Sequence, residues 1–215
     1  RPEPVAEGGA PDAMTDRPLV VMALDISVRR TGWAIGSPDW PRPYWSTYAD
    51  GGDWTKQSGE RLHAWRAFLK SKIAEHGVTY LATERLMIPK DEFNYDSHIP
   101  MSKLHGIVEE LHVDLGIRGG SVHVATWRAG FLGTAVAPKH LGSAQRTNWF
   151  KDEAVRKCMQ RGWLTSVHDE AEALGIMDFA LYCLDEDYAH KIGPFIRRAE
   201  LKAAEARYRG EAPAA

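Results

Sequence analysis

The sequence predicts an α/β fold, a mixed five-stranded sheet flanked by helices. Three observations carry this reading. Leu19 to Leu24 is a continuous apolar run, the pattern of a central strand buried on both faces. Three strand-like segments follow one another near the start of the chain with short turns between them, which suits an antiparallel meander. Helical and strand patterns then alternate before the chain becomes helical, an order that puts helices on the faces of a mixed sheet.

The first apolar run ends at Asp25. Thr31 to Gly36 (TGWAIG) is the second expected strand and Tyr44 to Tyr48 the third. Trp54 to His76 is expected as the first long helix, because Leu62, Trp65, Phe68, Leu69 and Ile73 recur at helical spacing and Gly77 can stop it. Val78 to Thr83 is a fourth strand, ending at Glu84. Ile88 to Ile99 reads as a polar loop carrying aromatics, before a helix from Met101 to Leu115. Val122 to Ala125 is expected as a short fifth strand, and Trp127 to Leu132 as a helical turn. Gly133 to Gln145, rich in Gly, Ala and Pro, reads as a loop, and Arg146 to Gln160 and Asp169 to Leu184 read as helices. Ile196 to Arg209 is expected to form a last, charged helix.

The chain has 215 residues, enough for one sizeable domain with a real core. That domain is expected over residues 17–190. Residues 1–16, rich in Pro, Gly, Ala and acids, are expected to be a disordered leader, and 191–215 a charged helix and tail. Met14 stands just before the first strand, so residues 1–13 read as a remnant or an upstream extension. Cys158 and Cys183 are not in C-x-x-C spacing, which argues against a disulfide framework or a structural zinc site. No stretch has the length of a membrane span and no charged-then-apolar leader opens the chain, so a cytoplasmic protein without membrane contact is expected. With 27 basic and 29 acidic side chains, any nucleic-acid surface must come from local clustering of Lys and Arg.

Carboxylates stand where the local pattern would rather have none. Asp25 closes an apolar strand, Glu84 closes VTYLAT, and Asp169, Glu170 and Glu172 open the helix HDEAEALGIMDFAL. On that helix Ala173, Ile176, Ala180 and Leu184 form an apolar stripe. Asp169 lies on the stripe and Glu172 on its edge, so both point inward, while Glu170 points elsewhere. Acids aimed at a core must be paired or hold metal. Each also has a plainer alternative: an Asx turn from Asp25 into Ser27, a Glu84–Arg85 pair, a helix cap at Asp169, a favourable helix-dipole contact at Glu172. Gathered together, such acids suit phosphodiester hydrolysis, in which two divalent ions about 4 Å apart serve the attacking and leaving oxygens.

These segments resemble a known family. VVMALDISVRRTGWAIG resembles the opening strand pair of the RuvC-type Holliday junction resolvases, of the ribonuclease H-like superfamily. LATERL resembles their second acidic motif, and HDEAEALGIMDFAL their last, with two acids three residues apart before Ala-Leu. VATWRAGFLG and TNWFKDEAVRKCMQRGW are similar to the segments around the family's basic loop and its Lys-bearing helix. The chain resembles the phage-type members more than the bacterial housekeeping ones. The likeness covers Leu19 to Leu184. Departures are Ile26-Ser27 where the family has Pro-Gly or similar, Glu172 as the last acid, and Met87 near the place of a DNA-wedging aromatic.

The resemblance implies a ribonuclease H-like fold and a homodimer in a bacterial or phage-infected cell, cutting branched DNA. It implies catalytic and metal-holding roles for Asp25, Glu84, Asp169 and Glu172, with two Mg²⁺ ions per site (Mn²⁺ able to substitute) and Lys151 as a helping cation. A junction with approximate two-fold symmetry suits a two-fold dimer, and the helix near His105 to Leu115 is its expected contact or ordinary core. Candidate DNA contacts are Arg29, Arg30, Lys90, Lys103, Arg128, Lys139 and Arg146, which flank the acidic motifs. Phe93 and Tyr95 are candidates for insertion at a branch point, and Trp127 and Trp149 for base stacking or core packing. The alternatives are a flap or RNA-directed nuclease of the same fold, an idle nucleic-acid-binding module, and an actin-like sugar or acetate kinase. The last needs a second Gly-rich phosphate loop, which is missing.

Overall fold

The computed structural model describes residues 17–54, 56–87 and 94–188. The expected leader, the Ile196–Arg209 helix, Lys90 and Phe93 lie outside these residues. The first apolar run becomes the middle of a five-stranded sheet. Strand β1 (Val21–Asp25) pairs antiparallel with β2 (Thr31–Gly36), which pairs antiparallel with β3 (Tyr44–Tyr48). On its other side β1 runs parallel to β4 (Tyr80–Glu84), and β4 parallel to β5 (Arg118–Val122), giving the order β3-β2-β1-β4-β5. Five helices complete the described residues: α1 (Ser58–His76), α2 (Tyr95–Leu115), α3 (Val124–Leu132), α4 (Ser143–Gln160) and α5 (His168–Leu184). The predicted class, a mixed five-stranded sheet flanked by helices, is the one observed.

Alternate residues of β1 face opposite cores, as the period of two requires. Val20, Met22 and Leu24 pack with Trp65 and Leu69 of α1 and Leu104 and Leu111 of α2. Val21 and Ala23 face the other way, toward Trp127 and Phe131 of α3 and Leu174 and Ile176 of α5. This second face is built from small residues. A Cβ on Gly32 would lie 1.9 Å from the Asp169 carbonyl oxygen, and one on Gly36 would lie 2.6 Å from Met177 Sδ. Helix α5 can therefore lie close on the sheet, its first turn over Gly32, which is the register partner of Asp25.

Several boundaries differ from the sequence reading. Helix α1 starts at Ser58 rather than Trp54, because the Trp54 indole is drawn off to donate to the Val28 carbonyl at 3.1 Å. Helix α2 starts at Tyr95, not Met101. Asn94 caps it by accepting from the Asp96 amide at 2.9 Å, and Pro100 is carried inside. Strand β5 is Arg118–Val122 rather than Val122–Ala125. Its sequence RGGSV has no apolar alternation, since it is an exposed edge held by pairing with β4. Val124 and Ala125 enter α3, where the His123 ring accepts from the Ala125 amide at 3.2 Å. Helix α4 starts at Ser143, three residues early. Helix α5 is not a striped surface helix. Every residue from Ala171 to Leu181 is buried, as expected of a helix with layers on both sides. Even Asp178 is enclosed, paired to Arg161 and accepting from Tyr188 Oη at 2.8 Å.

Candidate active site

Parallel pairing of β1 with β4 aligns their C-terminal ends, so Asp25 and Glu84 emerge at the same edge of the sheet. Each follows two residues after an alanine of the α5-facing core, Ala23 and Ala82, and shares that face. Helix α5 begins above the same edge, and its first turns carry Asp169 and Glu172. One oxygen from each of Asp25, Asp169 and Glu172 lies within 4.8 Å of the others. Glu84 stands beside this trio, its Oε2 accepting from the indole of Trp127 at 2.8 Å. Glu170 is turned away and accepts from Thr165 Oγ1 at 2.6 Å.

Cations surround the acids. Arg30 Nε lies 2.5 Å from Asp169 Oδ2, Arg128 Nη2 lies 2.9 Å from Glu172 Oε1, and Lys151 Nζ lies 4.0 Å from Glu172 Oε2. Glu172 is only 6% exposed, so its pairing offsets a real desolvation cost. The Arg128 guanidinium sits 4.6 Å from the Phe150 ring centre and 5.4 Å from that of Trp127, and its buried Nε has no partner. Burial, then the charges of Glu172, Glu84 and Asp169, hold the Asp25 carboxyl well above the usual carboxylate range, and Lys151 opposes them. Burial also raises Glu84, while the Trp127 hydrogen bond and Arg128 pull it down. The donor set is all carboxylate oxygen, which fits a hard divalent cation and not zinc or copper. Negative charge crowded on Asp25 is the imbalance such a cation would relieve.

The other sequence candidates divide. Arg29, Lys103, Lys139 and Arg146 are exposed, with Arg146 Nε donating to the Leu141 carbonyl at 2.8 Å. Arg30 and Arg128, read as phosphate contacts, are both ion-paired within the acidic cluster. Tyr95, at the start of α2, is 73% exposed, and Met87 is exposed as well. Trp127 is fully buried and belongs to the core, and Trp149 is half-buried with its ring edge-on to Phe150 at 5.0 Å. Sequence reasoning missed the Trp127–Glu84 bond and the Arg161–Asp178–Tyr188 cluster. An acid inside IMDFAL was a usable signal for the second; nothing local marks the first.

No family model matches the sequence, and no curated protein sequence does. Among solved structures, the chain is similar to RuvC of Thermus thermophilus, with a TM-score of 0.56 at 15% identity over 76% of this chain and 95% of that one. It is similar to T. thermophilus RuvC in complex with Holliday junction substrate, with a TM-score of 0.55 at 11% identity, covering 81% and 96%. The yeast mitochondrial Holliday junction resolvase Ydc2 matches at a TM-score of 0.46 and 12% identity, covering 88% and 83%. The two RuvC structures show that this chain shares their fold.

Proposed function

We propose that this chain is a metal-dependent endonuclease that hydrolyses phosphodiester bonds in branched DNA, four-way junctions foremost. The observation that carries the reading is the convergence of Asp25, Asp169 and Glu172 within 4.8 Å at the sheet edge of a RuvC-like fold. The junction bound to T. thermophilus RuvC supports the substrate class.

In this reading Asp25, Glu84, Asp169 and Glu172 hold two Mg²⁺ ions, with Mn²⁺ able to substitute. Such ions would supply the positive charge that activates water and steadies the leaving oxygen. The protein's own groups do the placing. Trp127 orients Glu84, Arg128 orients Glu172, and Lys151 offers its ammonium to the phosphate. Arg29, Arg30, Lys103, Lys139 and Arg146 neutralise the flanking backbone, and Tyr95 contacts the branch point. A homodimer would present two such sites to a two-fold junction. Leu104, Val108 and Leu111 of α2 belong to the core, so a contact through α2 would use outward residues such as Val113, 86% exposed.

The test offers the purified protein four-way, three-way, flap, linear duplex and hybrid substrates with Mg²⁺ or Mn²⁺. Cleavage should favour the four-way junction, stop in EDTA, and vanish in Asp25→Asn while junction binding persists. Replacing Arg29, Arg30 and Lys151 together with Ala should weaken binding to every branched substrate and flatten its salt dependence. A monomer cutting linear and branched DNA equally would sink the resolvase reading.

A further inference from the structure

The loop between β1 and β2, residues 26–30, joins Asp25 to Arg30, whose Nε lies against Asp169. Internal bonds shape this loop. Thr31 Oγ1 accepts from the Ser27 amide at 3.3 Å and donates to the Ser27 carbonyl at 3.2 Å, and Ser27 Oγ accepts from the Arg30 amide at 3.4 Å. The loop is also gripped from behind, from the side of the sheet that carries α1. Arg61, near the start of α1, is only 8% exposed. Its Nη2 donates to the Val28 carbonyl at 3.1 Å and lies 2.5 Å from Asp50 Oδ1, while its Nη1 donates to the Gly52 carbonyl at 2.5 Å. The Trp54 ring stacks on the guanidinium, 4.2 Å from Cζ to ring centre, and Trp54 Nε1 donates to the same Val28 carbonyl at 3.1 Å.

A buried guanidinium is a costly way to fill space, and its Nε is left without a partner. An apolar side chain would pack there more cheaply. What arginine and tryptophan add is two donors converging on one backbone oxygen, midway along the loop that separates Asp25 from Arg30. We infer that Arg61 and Trp54 are positioning residues: their shared grip on the Val28 carbonyl sets where Arg30 meets Asp169, and so where a DNA phosphate is received beside the acidic cluster. The consequence for DNA rests on the nuclease reading; the grip itself rests on geometry alone.

Two variants separate the grip from general stability. Trp54→Phe keeps a ring over Arg61 and removes only the indole N–H. Arg61→Lys keeps the charge opposite Asp50 and removes the fork. Amide hydrogen exchange, measured without DNA or metal, should accelerate about ten-fold at residues 27–31 in both, with the central strands unchanged. In junction cleavage KM should rise about ten-fold with kcat within roughly two-fold, since phosphate reception and not the acids is disturbed. In an Arg30→Ala background Trp54→Phe should add nothing further, because the grip acts through Arg30. Unchanged exchange in the loop would overturn the grip whether or not the protein cuts DNA. A KM effect that adds fully to Arg30→Ala would overturn its action through Arg30. A wild-type protein that cuts no branched DNA would remove the nuclease reading and leave the exchange result to decide the grip.

Discussion

Replacing Asp25 by Asn should make the metal-free protein more stable, although it destroys the proposed site. The Asp25, Asp169 and Glu172 oxygens lie within 4.8 Å of one another. At an effective dielectric near 20, each like-charged pair at that separation repels by about 3–4 kcal/mol. Arg30 and Arg128 offset much of this by pairing with Asp169 and Glu172, while no described group donates a hydrogen bond to Asp25 itself. Removing the Asp25 charge should then release about 2 kcal/mol, or about 4–8 °C in Tm for a domain of this size. The sign follows from linkage. The Asp25 pKa is raised in the folded state, so the stability it carries is full below its unfolded pKa and is lost as pH rises through the folded pKa. Thermal unfolding in EDTA should therefore show the Asn variant ahead at neutral pH and level with wild type on acidification. Saturating Mg²⁺ or Mn²⁺ should stabilise wild type and leave the variant nearly unmoved. A variant less stable than wild type in EDTA, or one stabilised equally by metal, would refute the reasoning.

Other substitutions probe how the site is held. Gly32→Ala should lose about 3 kcal/mol and the metal-induced rise in Tm, because its methyl group meets the Asp169 carbonyl and α5 must lift; Gly36→Ala meets only the flexible end of Met177 and should lose about 1 kcal/mol. Thermal unfolding that ranks the two the other way would contradict the close packing of α5. Glu172→Gln should slow cleavage by on the order of a hundred-fold, while Glu170→Gln should leave the rate near wild type and lower stability by at most about 1 kcal/mol through its bond to Thr165. A large rate loss from Glu170→Gln would show that the wrong face of α5 had been assigned. Trp127→Phe removes the donor that lowers Glu84, so the Glu84 pKa should rise further and the acidic limb of the pH–rate profile should move to higher pH. An unmoved limb would separate Glu84 from the reaction.

The elements legible in the sequence were those whose signal is local. Strands β2 and β3 fell on the expected residues, and Gly77 ends α1 in the left-handed conformation, at φ 63°. The acids at the ends of β1 and β4 and in the first turns of α5 were visible because each interrupts an apolar pattern. Strand β5 was misplaced because RGGSV carries no pattern of its own and is a strand only through pairing with β4. The early start of α2 was hidden by Pro100, which reads as a boundary and is instead carried inside the helix. The electrostatics of the site belong wholly to the tertiary structure. Arg30 reaches Asp169 across 139 residues, Arg128 reaches Glu172 across 44, and Trp127 reaches Glu84 across 43. The sequence alone determined which residues could carry the chemistry, because a misplaced charge shows against its neighbours. Only the folded chain decided which cation holds which acid, because that depends on the close seat of α5 on a glycine and alanine face, and no local periodicity records the distance between two surfaces.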